Sequence, residues 1–186
     1  MNNFKKNLKT SKQPKLIGLS SFKDRRGKLS RLFCFKELTR KGFGFFIKQI
    51  NHVVVTKKGT IKGMHFQINP FSEDKIVNVI KGKIFDVVID VRKNSKNFLK
   101  YKTFVINSKE NKCLLIPKGF AHGFQTLSDD CEIIYCHSNF YKSTKELSIN
   151  PFDPSINIHW PIKLSNISLK DKKTKFIYND FKGIVI

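Results

Sequence analysis

Short apolar runs separated by turn residues recur along most of the chain. They are rich in Val, Ile and Phe and cover residues 45–56, 61–67, 75–80, 83–91, 103–106, 114–116 and 132–137. Many short strands with turn signals between them are typical of β-sandwiches and β-barrels. The pattern therefore predicts an all-β fold.

Two local patterns add detail to this prediction. Lys81 and Gly82 separate two of the runs, and glycine there favours a β-hairpin because it accepts the positive φ of tight turns. In the second of these runs, Ile84, Val87 and Ile89 do not alternate strictly with polar residues, which predicts mixed burial.

Helical signals are few and short. Residues 36–41 predict a helix ended by Gly42. Ser168 predicts the start of a second helix, because serine caps helices and Asp171 suits a first turn. At 186 residues the chain has room for one sizeable core, so we predict one domain over residues 1–186. Within it, residues 1–13 are expected to be loose or to dock on a partner.

The charge balance is strongly basic. Lysine and arginine outnumber acidic residues by 36 to 14, which gives a formal net charge of +22. Such an excess favours anionic partners, nucleotides among them. The basic residues are spread from Lys5 to Lys182 and are not concentrated in one helix or interleaved with aromatic residues, so nucleic acid is not a predicted partner.

Cysteine usage and hydropathy bear on location. Cys34, Cys113, Cys131 and Cys136 form no C-x-x-C pair, which fits a reducing compartment. The first residues are polar and basic, and no run approaches the roughly 20 apolar residues of a membrane-spanning helix. We therefore expect a soluble cytoplasmic protein with no membrane partner.

Two histidines lie in unusual local sequences. One is His65, in Lys62-Gly63-Met64-His65-Phe66-Gln67, and the other is His122, which ends a Pro-x-Gly-x-x-His pattern. Both segments resemble the motifs of cupin barrels. Metal-binding cupins carry a second histidine where this chain has Gln67, and a divalent ion needs three or four converging donors. We therefore predict no metal and no cofactor, with chemistry carried out by side chains at the mouth of the barrel.

The motifs taken together resemble the dTDP-4-dehydrorhamnose 3,5-epimerase family, the cupin enzymes of deoxysugar biosynthesis, over nearly the whole chain. The matching segments are 24–27, 49–52, 62–67, 74–77, Gly82, 85–87, 90–95, 116–124, Tyr135, 140–141 and 158–161. The resemblance implies a cupin-type β-barrel, or jelly roll. It also implies an isomerase that inverts C3 and C5 of a nucleotide-linked 4-keto-6-deoxy sugar for a capsule or lipopolysaccharide. The implied assembly is a homodimer whose first strands exchange.

The resemblance further implies a role for each site residue. His65 is the general base, Asp171 orients its imidazole, Tyr135 is the general acid, and Lys75 stabilises the enolate oxygen. The residues implied to bind substrate are Arg26, Arg31, Gln49, Asn51, Lys62, His122, Tyr141 and Glu146.

The implied reaction gives these residue types a physical reason. Removing a hydrogen beside a ketone leaves an enolate whose charge lies largely on oxygen, so a cation is needed near that atom. One group must take the proton from one face of the sugar, and another must return a proton to the opposite face. A histidine and a phenol suit these two tasks.

Three differences from the family pattern bear on the substrate. Lys62 replaces an arginine, so a two-pronged contact with phosphate is lost. Leu29 and Arg31 replace an aromatic residue and a glutamate near the nucleotide base. The sequence therefore does not decide whether the substrate carries dTDP or GDP. One additional residue within 53–58 alters the length of the chain before His65.

Several alternatives remain open at the level of sequence. They are inversion at C3 alone, a GDP-linked 4-keto heptose as substrate, a sugar-nucleotide ketoisomerase and a non-catalytic sugar-binding cupin. The joint presence of His65, Lys75, Tyr135 and Asp171 favours an enzyme, because binding alone needs no base opposed to an acid. A metal-dependent dioxygenase ranks last, since Gln67 replaces a metal ligand.

Overall fold

The computed structural model describes residues 10–177 and 181–186. Strands dominate these residues. In chain order, β1 to β13 are Lys15–Gly18, Ser21–Asp24, Gly27–Ser30, Gln49–Val55, Thr60–Gln67, Lys75–Lys81, Lys83–Asp90, Tyr101–Asn107, Lys112–Ile116, Phe120–Thr126, Cys131–His137, Glu146–Ser148 and Asn166–Ile167. The two α-helices in this part of the chain are α1 (Phe35–Arg40) and α2 (Leu169–Lys173).

Two mainly antiparallel sheets make up the barrel. The first sheet has five strands in the order β1-β9-β6-β11-β4. The second has six, with β12-β5-β10-β7-β8 in order and β13 added parallel to β5. A separate hairpin, β2-β3, stands apart from both sheets. The predicted all-β barrel with a few short helices is confirmed.

Apolar side chains fill three layers because the central strands, such as β7 and β10, are buried on both faces. The interior cluster, which lies between the sheets, includes Val77, Val79 and Phe124. A second cluster, with Met64 and Val87, covers the outer side of the six-stranded sheet. The third packs α1 and its neighbours against the outer side of the five-stranded sheet.

The predicted hairpin around Gly82 is wrong. Gly82 does make a tight turn, with φ of 82°. However, β6 before it pairs with β9 and β11, whereas β7 after it pairs with β8 and β10. The turn therefore carries the chain from one sheet to the other. An added Cβ at Gly82 would lie 2.7 Å from the sulfur of Cys131, so the crossing is also tightly packed.

The remaining predicted elements agree with the structure within a few residues. Both short helices are present, and Ser168 caps α2. The mixed burial predicted for Ile84, Val87 and Ile89 is wrong: all three are buried, because Ile84 lies in the interior cluster and the other two in the cluster on the outer side. Six strands were not predicted, namely β1, β2, β3, β12, β13 and β10, the last of which has all seven residues buried.

The N-terminal segment is only partly described. Of the predicted loose or docking residues, 1–9 lie outside the described part of the chain. Further along, the backbone N–H of Ser11 donates to the carbonyl of Gly42 at 2.8 Å. In the described ranges, no helix has the length and apolar character needed to cross a membrane.

Candidate active site

A cavity of about 310 Å³ opens between the two sheets at one end of the barrel. It is lined by nine of the residues singled out in the sequence, namely Asn51, Lys62, His65, Lys75, His122, Tyr135, Tyr141, Glu146 and Asp171. Residues up to 120 positions apart in the chain thus meet in one place, as Asn51 and Asp171 illustrate.

His65 and the buried Asp171 form a hydrogen-bonded pair on one wall of the cavity. His65 lies on β5, and its Nε2 is 2.7 Å from Asp171 Oδ1. Burial opposes ionisation of Asp171, but the hydrogen bond and charge of His65 outweigh it and hold the carboxyl pKa below its ordinary value. An ionised carboxylate only accepts hydrogen bonds, so Nε2 of His65 carries the proton. Nδ1 is then free to act as a base.

The backbone holds this pair in place from both sides. Ser168 Oγ accepts a hydrogen bond from the Asp171 N–H at 3.0 Å, which fixes the first turn of α2. The N–H of Gly63 donates to Asp171 Oδ2 at 3.2 Å. Gly63 has a φ of 113°, and a Cβ there would lie 2.6 Å from the Cα of Gly123 on β10. Glycine is therefore required where β5 and β10 approach each other.

Tyr135 and Lys75 lie on the opposite wall, in the five-stranded sheet. Tyr135 is on β11 between Asn51 of β4 and Val77 of β6, its partners across the sheet. Two positions further along β11, His137 is paired with Lys75 of β6. Because residues two apart on a strand share a face, Tyr135 and His137 point into the same cavity. A base on one wall thus faces a phenol and an ammonium on the other.

The surroundings of Tyr135 keep its phenol protonated. Its ring packs edge-on against His122, with centroids 5.7 Å apart, and against His137 at 6.0 Å. Burial, together with the negative charge of Asp86, raises the pKa of Tyr135 well above the ordinary value for tyrosine. A protonated phenol can act as a general acid but not as a general base.

His122 belongs to a second histidine–carboxylate pair. Its Nε2 is 2.8 Å from Oδ2 of Asp86, a residue on β7 that is fully buried. Burial raises the pKa of Asp86, against the opposing charge and hydrogen bond of His122. The sequence motif includes Asp86, but its contact with His122 could be found only from the pairing of β7 with β10.

Charged groups line the wall around His65. Glu146 Oε1 lies 4.0 Å from His65 Nδ1, and its other oxygen is ion-paired with Lys170. The hydrogen bond to Glu146 raises the pKa of Lys170. Tyr141 Oη donates to the same carboxylate at 3.4 Å, and Lys62 completes this side of the cavity. Lys170 was not predicted, although it directly precedes Asp171.

Gln49 lies just outside the cavity, whereas Arg26 and Arg31 lie apart from it. Gln49 contacts the lining residue Asn51 through a hydrogen bond of 3.1 Å. Arg26 is on the β2-β3 hairpin and pairs with Asp24 at 2.6 Å. Arg31 pairs with Glu37 of α1 at 3.6 Å. Within a single chain, therefore, the structure does not bring the two arginines to the predicted site.

Two further lining residues, Glu73 and His137, escaped the sequence analysis. Glu73 Oε1 is 3.1 Å from the ammonium of Lys75, and its Oε2 is 3.1 Å from Nδ1 of His137. Burial opposes ionisation of Glu73, yet the hydrogen bond from His137 and the charge of Lys75 hold its pKa below the ordinary value. The available signal was the position of His137, two residues after Tyr135 on an inward-facing strand.

The side-chain amide of Gln67 forms hydrogen bonds with other groups of the protein. Its Nε2 donates to Phe71 O, to Glu73 Oε2 and to Phe140 O, and its Oε1 accepts from the Lys142 N–H at 2.7 Å. Across residues 10–177 and 181–186, no three histidine, cysteine or acidic side chains are arranged to hold a metal ion.

Comparison with known proteins agrees with this geometry. A family model described as dTDP-4-dehydrorhamnose 3,5-epimerase matches residues 11–179. A relative of that name from Shigella flexneri is 37% identical over 173 residues, which is 91% of each chain.

Solved structures share the fold over nearly the whole chain. A dTDP-4-dehydrorhamnose 3,5-epimerase from Bacillus anthracis, solved with TDP and pyrophosphate bound, has a TM-score of 0.85 and 30% identity, covering 95% of this chain and 97% of its own. A dTDP-6-deoxy-D-glucose-3,5-epimerase from Legionella pneumophila, solved with dTDP-4-keto-L-rhamnose, has a TM-score of 0.83 and 30% identity, with coverages of 91% and 92%. The cupin-type barrel expected from the sequence is thus confirmed.

Proposed function

Since the chain belongs to the dTDP-4-dehydrorhamnose 3,5-epimerase family, we propose that it inverts C3 and C5 of a dTDP-linked 4-keto-6-deoxy hexose. The observation that carries this proposal is the opposition of two groups across one cavity. A histidine oriented by a carboxylate lies on one sheet, and a protonated tyrosine lies on the other. The ligands of the Bacillus anthracis and Legionella pneumophila proteins support dTDP as the nucleotide.

The reaction begins with proton abstraction. His65 Nδ1 takes the hydrogen from C3, and the C–H bonding electrons move to form a C3–C4 double bond while the carbonyl pair shifts onto the C4 oxygen. Lys75 lies on the opposite wall, where its ammonium stabilises the enolate oxygen. Asp171 stabilises the imidazolium that forms. General acid and base groups each contribute roughly 10²- to 10⁴-fold to such steps.

The second half returns a proton to the opposite face of the ring. Tyr135 donates its phenolic proton to C3 as the enolate collapses back to the ketone. The phenolate then regains a proton from solvent, and His65 loses one to solvent, which resets both groups. The same exchange at C5 completes the inversion of both centres. Glu146, Tyr141, His122 and Lys62 bind the sugar and the diphosphate around these groups.

The proposed assembly is a homodimer in which the β2-β3 hairpin extends over the partner's cavity. Phe22 and Leu29 are partners across this hairpin and are 61% and 62% exposed. On the five-stranded sheet, Ile50 and Val54 of the edge strand β4 are 62% and 57% exposed. Apolar surface of this kind is typical of a subunit interface. In the dimer, Arg26 and Arg31 would bind nucleotide in the partner's site.

The proposal places the enzyme in the cytoplasm as one cupin domain. The free thiols of Cys113, Cys131 and Cys136 support a reducing compartment. The match of the family model to residues 11–179 supports one domain.

Proton NMR in D₂O tests the function directly. The protein is mixed with dTDP- and GDP-linked 4-keto-6-deoxy hexoses and with the corresponding heptoses, and the signals of H3 and H5 are followed. We expect both signals to disappear for the dTDP-linked hexose. Loss of H3 alone would restrict the enzyme to C3, and migration of the carbonyl would identify a ketoisomerase. Binding without exchange on any substrate would overturn the epimerase proposal.

A further inference from the structure

The pair formed by Glu73 and His137 lies at one end of a hydrogen-bonded chain that crosses the five-stranded sheet. This chain begins at the backbone N–H of Tyr141, which donates to Gln49 Oε1 at 3.0 Å. Gln49 Nε2 donates to Asn51 Oδ1 at 3.1 Å. Asn51 Nδ2 is 3.4 Å from His137 Nε2. Nδ1 of His137 is then 3.1 Å from Glu73 Oε2.

The direction of every bond in this chain follows from its two ends. A backbone N–H can only donate, so Gln49 presents its oxygen to Tyr141 and its nitrogen to Asn51. Asn51 therefore presents its oxygen to Gln49 and its nitrogen to His137. An amide nitrogen only donates, so Nε2 of His137 must accept. At the other end, the ionised carboxylate of Glu73 also only accepts, so Nδ1 must donate.

We propose that His137 is a neutral Nδ1–H imidazole that acts as a positioning residue, tying the orientation of Asn51 and Gln49 to the placement of Lys75. The proposal rests on the proposed function, because Lys75 is assigned there to the enolate oxygen. A protonated His137 would direct Nε2–H at the amide nitrogen of Asn51, which places two donors against each other. The titratable groups close to His137 are Glu73, Lys75 and Tyr135.

The link to Lys75 runs through Glu73. One oxygen of this buried carboxylate contacts the Lys75 ammonium, while the other accepts from both His137 and Gln67. Gln67 is itself held by the backbone N–H of Lys142, next to the residue that begins the chain. The carboxylate is thus held by three side chains, and the ammonium it contacts is held with it. A displacement of about 1 Å in such a group costs roughly 10²-fold in rate.

A ring-nitrogen spectrum tests the proton position without any substrate. In ¹⁵N-histidine-labelled protein at pH 8, long-range ¹H–¹⁵N correlations distinguish the two neutral tautomers of each histidine. The His137→Gln variant assigns the signals that belong to His137, and His159→Gln, at an exposed position outside the cavity, is the matched control. We expect the Nδ1–H tautomer for His137. The Nε2–H tautomer, which neutral histidine favours in water, would overturn the proposal.

Kinetics test the positioning role through a conservative rescue. Glutamine can still accept from Asn51 and donate to Glu73, whereas leucine can do neither. We expect His137→Leu to lower kcat by about 10²-fold, and His137→Gln to recover most of that loss, with His159→Gln within about twofold of the parent. Equal activity of the Leu and Gln variants would overturn the role of His137. If the parent turned over no substrate, the proposed function would fail while the spectrum still decided the tautomer.

Discussion

His65 and Asp171 are separated by 106 positions in the chain, yet Nε2 of the first lies 2.7 Å from Oδ1 of the second. The contact joins a strand of the barrel wall to the short helix α2. It leaves Nδ1 of His65 facing the cavity, so the chemistry of the base depends on a residue in the last 16 positions of the chain.

Replacing Asp171 by asparagine tests this dependence. An amide can present its oxygen to Nε2, but it offers no negative charge to the imidazolium. We expect Asp171→Asn to lower kcat by about 10²-fold or more, measured as H3 exchange in D₂O.

The same substitution should change how stability depends on pH, because the pKa of Asp171 is lowered in the folded protein. The ionised carboxylate stabilises the fold at neutral pH, and this contribution is lost as pH falls through that lowered pKa.

The difference in Tm between parent and Asp171→Asn should therefore be largest near neutral pH and should shrink below about pH 4. A difference that grew on acidification would contradict the assignment of Asp171 as an ionised partner of His65.

The raised pKa of Tyr135 predicts how activity behaves in alkali. An ordinary tyrosine is half ionised near pH 10. Because burial and the charge of Asp86 keep Tyr135 protonated beyond that point, kcat should hold to about pH 10 with no fall caused by loss of this proton. Tyr135→Phe should lower turnover by about 10²-fold or more at every pH, since the proton donor is gone. A parent enzyme whose kcat halves by pH 9 would argue against Tyr135 as the acid.

Two glycines provide a matched pair for testing the packing beneath the base. At Gly63 an added Cβ would meet Gly123 Cα at 2.6 Å and His122 O at 2.7 Å, whereas at Gly18 it would meet nothing within 4 Å. Gly63→Ala also places a side chain on a backbone with positive φ. We expect it to destabilise the protein by about 1–3 kcal/mol and to impair turnover, with Gly18→Ala near the parent. Equal unfolding midpoints for the two variants would refute this account.

Mixing of inactive subunits tests the proposed dimer. His65→Ala removes the base of its own site, and Arg26→Ala would weaken nucleotide binding in the partner's site. Unfolding the two variants together and refolding them should produce heterodimers with one intact site, so the mixture should be more active than either variant alone. His65→Ala mixed with Tyr135→Phe is the control, since both residues line the cavity of the same chain. No gain in the first mixture would place Arg26 outside the site.

Much of the site could be predicted from the sequence because its residues lie in short motifs with fixed spacing. His65, Lys75 and Tyr135 each occupy a strand whose inward face follows from alternation, so a motif match also places the side chain. The all-β class followed from the recurring apolar runs, whereas the cupin-type barrel was implied by the resemblance of the motifs to the family.

Other features depend on pairings that local patterns do not encode. Lys81-Gly82 signals a turn, but only the interior packing decides that β6 and β7 enter different sheets. The contacts of Glu73 and of Asp86 each join a carboxylate to a histidine on another strand or loop. Nothing near either carboxylate in the sequence identifies its partner.

The division of the reacting groups between two sheets gives the interior core a second task. Facing sheets pack about 10 Å apart, and here Val77, Val79 and Ile84 are among the side chains that fill the gap. The combined volume of these side chains sets the distance between the two sheets, and therefore the distance between His65 and Tyr135. Substitutions that change the volume of this core would therefore change the distance over which protons are transferred, as well as the melting temperature. Selection for catalysis therefore acts on side chains that never touch the sugar.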